Sequence, residues 1–263
     1  METEQNRRRK AERRLDAIID AMASGQGRIR TALRTYLANV ARASEAYRSL
    51  GRNFSFSANE KLRKELEDAR RIFIDRIEEI LSYELDIVLS EEGEEDDGVV
   101  LFAPILSETR EKAAEYIDGI LPELEAVAGS VFAEGGDAAG VVSEYIAYMG
   151  VASPPPSVAR AAAAMAGAAF LKSQLVRRPG RGNYLSPLAS IMRLVQTSTM
   201  KGYDAVVRRR MLRGGTRWYR TFRRSGWDCP QCDAVAAVIH PVTEQVLPVH
   251  PYCVCGMYEI DLM

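Results

Sequence analysis

Every cysteine of this 263-residue chain lies between Cys229 and Cys255, and one of its two histidines, His250, lies among them. The stretch reads Trp227-Asp-Cys-Pro-Gln-Cys232, then a loop of hydrophobic and turn residues, then His250-Pro-Tyr-Cys-Val-Cys255. Two residues separate Cys229 from Cys232, so a tight turn can aim both sulfurs at one point. Pro230 favours that turn by fixing its own φ. Twenty residues intervene before Cys253. Cys253 and Cys255 are two apart, and on a strand both would face one way. Cys229, Cys232, His250, Cys253 and Cys255 therefore compete for about four tetrahedral places around a zinc ion. A small unit built on these residues buries too little surface to stand alone, so a metal staple would help to hold it. Two other readings compete: a pair of disulfides, and buried thiols without a ligand. No secretory leader is recognised ahead of the first helix, so an oxidising compartment is not expected.

The residues around this motif change character. Trp218, Tyr219, Phe222, Val235, Val238, Ile239, Val242, Val246 and Val249 are aromatic or β-branched, with turn signals at Pro241 and Pro248. They predict a small antiparallel sheet of three or four strands. Most of the chain before it reads as helix. Leu15, Ile18, Ile19 and Met22 fall at helical spacing. Gly25 to Gly27 interrupts that pattern, and a second helix is expected from about Arg28 to Leu50. Ser57 followed by Glu60 has capping-box spacing for a third helix reaching about Val88. Glu91 to Asp97 reads as a solvated acidic loop, and Val99 to Leu106 as a short strand or coil. Further helices are expected over Glu108 to Val127, interrupted near Pro122, and over Ala138 to Met149. Ser153-Pro-Pro-Pro156 is the strongest boundary signal, with another helix over Val158 to Val176 and a basic linker to Asn183. Ser186-Pro187 opens a long helix that should stop before Gly214-Gly215. The expected fold is mainly α, with helical N-terminal and middle regions and a small C-terminal β unit. The divisions fall at 1–90, 91–156 and 157–263. No apolar run is long enough to span a bilayer.

A net charge of −1 hides a segregation. From Glu84 to Asp137 sixteen acidic residues face only Arg110 and Lys112, about −14 at neutral pH. From Lys172 to Arg224 fourteen basic residues face only Asp204, about +13. Arg208, Arg209, Arg210, Arg213 and Arg217 are the candidate contact residues of the basic block. They could pair with carboxylates of this chain or a partner, touch nucleic-acid phosphates, or form a solvated face. Trp218, Tyr219 and Phe222, interleaved with arginines, would suit base stacking and equally a strand with an apolar inner face.

The order Cys-Pro-x-Cys, a loop with Pro-Val and Leu-Pro turns, then His-Pro-x-Cys-x-Cys resembles the tail of the phage head-morphogenesis family, the minor head proteins similar to the F protein of phage Mu. Ile191 to Arg208 resembles the helix that precedes the family's knuckle, and Arg217-Trp-Tyr-Arg-Thr-Phe222 its strand leading to the first cysteine. The match covers about 184–263. It departs at Tyr252 and Val254, where the family usually has Asn and Arg, and at Gln196-Thr197-Ser198, where it has an Arg-Thr-Glu run. The resemblance implies a structural minor capsid protein near the portal, in the virion and in the host cytoplasm during assembly. The implied partners are portal and other head proteins, oligomeric on the particle, with encapsidated DNA nearby and no membrane.

Enzyme chemistry finds little support. A zinc deaminase needs His-x-Glu ahead of Pro-Cys-x-x-Cys, and neither His240 nor His250 precedes Cys229. There is no His-Glu-x-x-His and no G-x-x-x-x-G-K loop. The chain is therefore expected not to be an enzyme. The alternative function is a nucleic-acid-binding zinc protein, a regulator or a packaging accessory factor.

Overall fold

The computed structural model describes residues 3–94, 98–150, 187–224 and 228–261. The described residues are mainly helical, with one small sheet near the C-terminus. Among the described residues five long helices come first: α1 (Glu4–Glu45), α2 (Glu60–Glu92), α3 (Gly98–Ala133), α4 (Ala138–Gly150) and α5 (Pro187–Arg213). Then follow β1 (Trp218–Arg223), the short helix α6 (Pro230–Ala236), β2 (Ile239–Pro241) and β3 (Cys255–Ile260). The strands form one antiparallel sheet in the order β2-β1-β3. No helix among the described residues is long and apolar enough to cross a membrane.

Contacts gather the chain into two compact units, Met1–Arg28 with Glu78–Thr109 and Arg193–Met263, and Ile29–Ile77 with Arg110–Met192. These are not the successive stretches 1–90, 91–156 and 157–263. Long helices supply the reason, since α1, α2 and α3 each give one stretch to each unit. The expected boundary at Ser153 to Pro156, the helix at Val158 to Val176 and the basic linker lie outside the described residues.

The helical regions differ from expectation at five places. Helix α1 runs straight through Gly25 and Gly27. A Cβ at Gly25 would sit 1.9 Å from Glu84 Oε1 and 3.3 Å from Ile80 Cγ2, so the missing side chain admits α2. Tertiary packing there outweighs the roughly 1 kcal/mol helix penalty of glycine. Helix α2 is capped by Asn59, not Ser57. The Asn59 Oδ1 accepts from the amides of Lys61 at 2.8 Å and Leu62 at 3.2 Å, while Ser55 caps the preceding turn. The acidic run is partly the end of α2. Gly93, at φ 69°, lets the amides of Gly93 and Glu94 return to the carbonyls of Ser90 and Leu89, a Schellman ending. Residues 98–106 are helical rather than extended, with Phe102 buried. Pro122 does not break α3, whose Ile117, Ile120, Leu124 and Val127 are buried on either side of it. Helix α5 stops as expected, with Gly215 at φ 75° and the Thr216 amide returning to Met211.

The unit without the sheet is organised by aromatic contacts and buried polar pairs. Phe54 meets Phe56 and Phe132 edge-on, and Tyr36 packs on Phe73. The buried Tyr145 hydroxyl donates to Glu123 at 3.1 Å. Arg70 clasps Asp118 through two hydrogen bonds of 2.7 and 2.9 Å.

The sheet-bearing unit packs Leu15, Ile18, Leu81, Leu85, Val88, Tyr203, Val207, Tyr219, Phe222 and Met257 out of solvent. The Tyr203 hydroxyl on α5 accepts from the Met257 amide at 3.2 Å, so the long helix holds β3. A Cβ at Gly256 would lie 2.2 Å from Phe222 and 2.9 Å from Leu15, which lets β3 close onto α1 directly beside Cys255. Carboxylates are buried here too. Glu84, fully buried, accepts from Thr199 at 2.5 Å, while Lys201 reaches the half-exposed Glu108 at 2.7 Å.

Glu84 is 1% exposed. Burial pushes its carboxyl from the ordinary value near 4.5 up to about 7, against the Thr199 hydrogen bond and the charge of Arg28, which lower it. The folded chain thus holds this proton more tightly than the unfolded chain. Its stabilising contribution is fully present below about pH 4.5 and lost as pH rises through about 7. Glu84→Gln should therefore be neutral near pH 4.5 and stabilising at pH 8, by about 3 kcal/mol. Melting temperatures of the two proteins across that range check it; parallel curves would contradict the burial argument.

Candidate metal centre

Strand register assembles the site. β1 and β3 are antiparallel with Arg223 opposite Cys255, so the chain leaves β1 where β3 begins. Cys229 follows shortly and becomes the N-cap of α6, with Pro230 at the first helical position. Its Sγ accepts from the Cys232 amide at 3.3 Å. That contact does for a sulfur what Ser or Asp does at an ordinary N-cap, and it draws negative charge onto the thiol. Val235, expected in a strand, lies in α6 because the Cys-Pro-x-Cys turn opens a helix instead. At the other end of the loop His250, Pro251, Tyr252 and Cys253 form a turn closed by the Cys253 amide on the His250 carbonyl at 3.0 Å. Tyr252 turns the chain at φ 67°, a region Asn enters more readily than Tyr. Its carbonyl accepts from Gln196 on α5 at 3.3 Å.

These two turns bring all five candidate ligands together. Cys229, Cys232 and His250 form one group and Cys232, Cys253 and Cys255 another, the ligand atoms of each lying within 4.8 Å of one another. His250 Nε2 lies 3.1 Å from both Cys229 Sγ and Cys232 Sγ, and Cys232 Sγ lies 4.0 Å from Cys253 Sγ. A tetrahedral ion at about 2.3 Å from each sulfur sets sulfurs about 3.8 Å apart. The spacing therefore suits one shared ion with Cys232 common to both groups. Cys253 does not lie on the strand; it precedes β3, whose first residue is Cys255. None of the four cysteines is disulfide-bonded.

The electrostatics ask for a cation. Four thiols in one pocket cannot all ionise unaided. Cys253 is drawn down to about 5, first by a hydrogen bond from Cys255, and Cys229 is lowered by its bonds from Cys232. Burial pushes Cys232 up to about 12, and the hydrogen bond to Cys253 raises Cys255 further. The cluster thus pulls two thiols down and pushes two up, and a bound cation would take the place of their protons. His250 has the matching tautomer. The Pro251 carbonyl, 2.7 Å from Nδ1, can only accept, so Nδ1 carries a hydrogen and Nε2 is the ring atom left to face a metal among the sulfurs. The cluster can hold a metal ion. His240 is used elsewhere, its Nε2 2.9 Å from the Val235 carbonyl and its ring against Tyr219.

The basic candidates lie apart from this cluster and differ among themselves. Arg208 pairs at 2.8 Å with Asp204, which is fully buried. Arg210 binds the buried Glu92 and lies 3.9 Å from Glu259, and Arg213 binds Glu94. Arg209 is half-buried and Arg217 exposed. Three of the five are thus held by carboxylates of the same chain. Trp218 and Tyr219 do not form a stacking platform together, because alternate strand residues face opposite ways and Tyr219 is fully buried.

The sequence reading passed over Glu84, Glu92 and Asp204, the buried carboxylates that anchor the basic helix. The signal was available for Glu84 and Asp204, which interrupt the apolar sets Leu81-Leu85-Val88 and Tyr203-Val206-Val207.

No protein-family model matches the chain, and neither a curated protein nor a solved structure matches it.

Proposed function

We propose that this chain is a structural, non-catalytic minor head protein of a tailed phage or prophage. It acts at or near the portal in head assembly, DNA packaging or DNA ejection, and its cysteine and histidine cluster holds one structural zinc ion. The observation that carries the reading is the convergence of Cys229, Cys232, His250, Cys253 and Cys255 behind a long helix and a strand. That is the order of elements in the Mu F-like tail. Thiolate and imidazole donors suit zinc over the hard cations. The ion cross-links the start of α6, the 250–253 turn and the start of β3. Its partners are portal and other head proteins, its place the virion. The Asn-to-Tyr departure at Tyr252 falls on a backbone-turn position, not on a ligand.

Coexpression with a cognate portal protein tests the assembly role. The chain should co-purify with portal rings, and nuclease treatment should leave the ratio unchanged. Loss of the chain on nuclease digestion would replace this reading with that of a nucleic-acid-binding zinc protein.

A further inference from the structure

Among the candidate contact residues Arg208, Arg209, Arg210, Arg213 and Arg217, the fold commits Arg208, Arg210 and Arg213 to internal carboxylates. A different basic surface is left open. Helix α1 carries Arg7, Arg8, Arg9, Lys10, Arg13 and Arg14 in its first turns, against Glu4 and Glu12. Arg8 pairs with Glu12 at 3.0 Å. Arg9 and Arg13 are exposed, and among the described residues neither has a carboxylate partner. Residues 6, 9, 10 and 13 share one helical face. A helix sets Arg9 and Arg13 about 6 Å apart along its axis, comparable with successive phosphates of one nucleic-acid strand. The macrodipole near a helix N-terminus gives no support to clustered cations, so local helix stability does not account for them.

Two clefts flank this stripe and share Lys10. One, of about 340 Å³, is lined by Arg7, Lys10, Arg14 and Arg210 with Ala11, Met211, Tyr258 and Glu259, but its Arg7 binds Asp261, and Arg14 and Arg210 both bind Glu92. The other, about 660 Å³, is lined by Asn6, Arg9, Lys10, Arg13 and Arg224, with the carboxylates of Glu12 and Asp16. Both carboxylates of the second cleft are already occupied, by Arg8 and by Arg224, the latter at 2.6 and 2.7 Å. Arg9 and Arg13 therefore face solvent with no carboxylate of the cleft left to neutralise them.

We propose that this face of α1, with the second cleft, is a docking surface for the phosphate backbone of duplex nucleic acid, bound without sequence preference. The second cleft has no apolar lining residue, whereas a protein interface is built around an apolar core and a protein–DNA interface is polar and strongly cationic. Single-strand sites add aromatic platforms. The only aromatic residue in either lining is Tyr258, which is 6% exposed. Side chains that reach phosphates alone confer affinity without readout. This inference does not rest on the capsid role or on the metal.

Fluorescence anisotropy of the full chain with a labelled 30-bp duplex (about three helical turns) tests it at 50 and 200 mM salt. The native protein should bind, with an affinity that falls steeply with salt. Arg9→Glu/Lys10→Glu/Arg13→Glu should weaken binding at least tenfold and lower the slope of log K against log salt by about 3, near 0.9 per lost contact. Arg30→Glu/Arg34→Glu/Arg63→Glu, the same charge change at exposed positions elsewhere, should leave both nearly unchanged. Arg9→Ala/Arg13→Ala, which reverses no charge, should give an intermediate loss with an unaltered melting temperature. No duplex binding at 50 mM salt, or equal losses from both triple variants, overturns the proposal. Binding of the native chain to an acidic polypeptide such as polyglutamate, but not to DNA, would overturn it as well.

Discussion

Protein purified under reducing conditions is expected to carry about one zinc ion per chain, and stripping that ion or making Cys232→Ser should unfold the C-terminal sheet. Cys232 is the position of choice because it belongs to both ligand groups. Its loss leaves Cys229 and His250 on one side and Cys253 and Cys255 on the other with no common member. The expected effect is large. Apparent zinc-binding free energies of about 10–16 kcal/mol in zinc-finger peptides appear directly as folding free energy. By contrast, a three-stranded sheet of six, three and six residues buries little by itself. Hydrogen exchange is the informative measurement. Amides of β1 and β3 should lose protection, while those around Phe54, Tyr36 and Phe73 in the other unit keep theirs. Metal should also leave as pH falls, since thiolates and a neutral imidazole are required. Metal-free protein whose β-strand protection ignores both chelator and Cys232→Ser would refute the metal centre.

The second large effect is expected at Glu92. It lies at the end of α2, 5% exposed, between Arg14 of α1, at 3.1 Å, and Arg210 of α5. One carboxylate thus ties three helices of one unit. Glu92→Ala leaves two guanidinium groups, 33% and 23% exposed, facing each other without a counter-charge. Removing one partner of a buried pair costs about 3–5 kcal/mol. The partial exposure of both arginines brings the expected loss to about 2–4 kcal/mol, because water screens some of the repulsion. Glu92→Ala/Arg14→Met/Arg210→Met should recover much of it, since the charges that Glu92 neutralised are then gone. Urea unfolding followed at Trp218 of β1 reads the series. A single variant within about 0.5 kcal/mol of the native protein would mean the cluster is no more than a surface ion pair.

Helix content was legible because the apolar residues recur at helical spacing over most of the chain, and burial follows that spacing: Leu15, Ile18, Leu33, Leu37, Leu62, Leu66 and Leu81 are all buried. The long helix from Pro187 and its stop at Gly214-Gly215 were legible too, since proline and glycine act through backbone geometry that needs no partner. The five candidate ligands could be named for the same kind of reason. Cysteine and histidine announce their chemistry by type, and Cys-Pro-x-Cys dictates a local turn. Element boundaries failed where a local signal met a distant side chain. Gly25 reads as a breaker only until Glu84 occupies the space beside it. The acidic run reads as solvated only until Arg14 and Arg210 close on Glu92. Pro122 reads as an end only until the flanking leucine, isoleucine and valine side chains are buried.

Spacing within the sequence determined that Cys229 and Cys232 would meet, and that Cys253 and Cys255 would lie close, because two or three residues of chain leave little choice. Whether the two pairs meet each other depends on twenty intervening residues. That was decided by the antiparallel register of β1 with β3 and by the hold of Gln196 and Tyr203 on the returning chain. Charge followed the same division. Composition determined that an acidic and a basic block exist. Only the packing of α5 against α2 and α3 decided that several of the basic residues would be used up inside the molecule. Arg9 and Arg13 of α1 are left exposed, because Coulomb attraction in a partly buried setting favours the nearest carboxylate, and the fold alone decides which one is near.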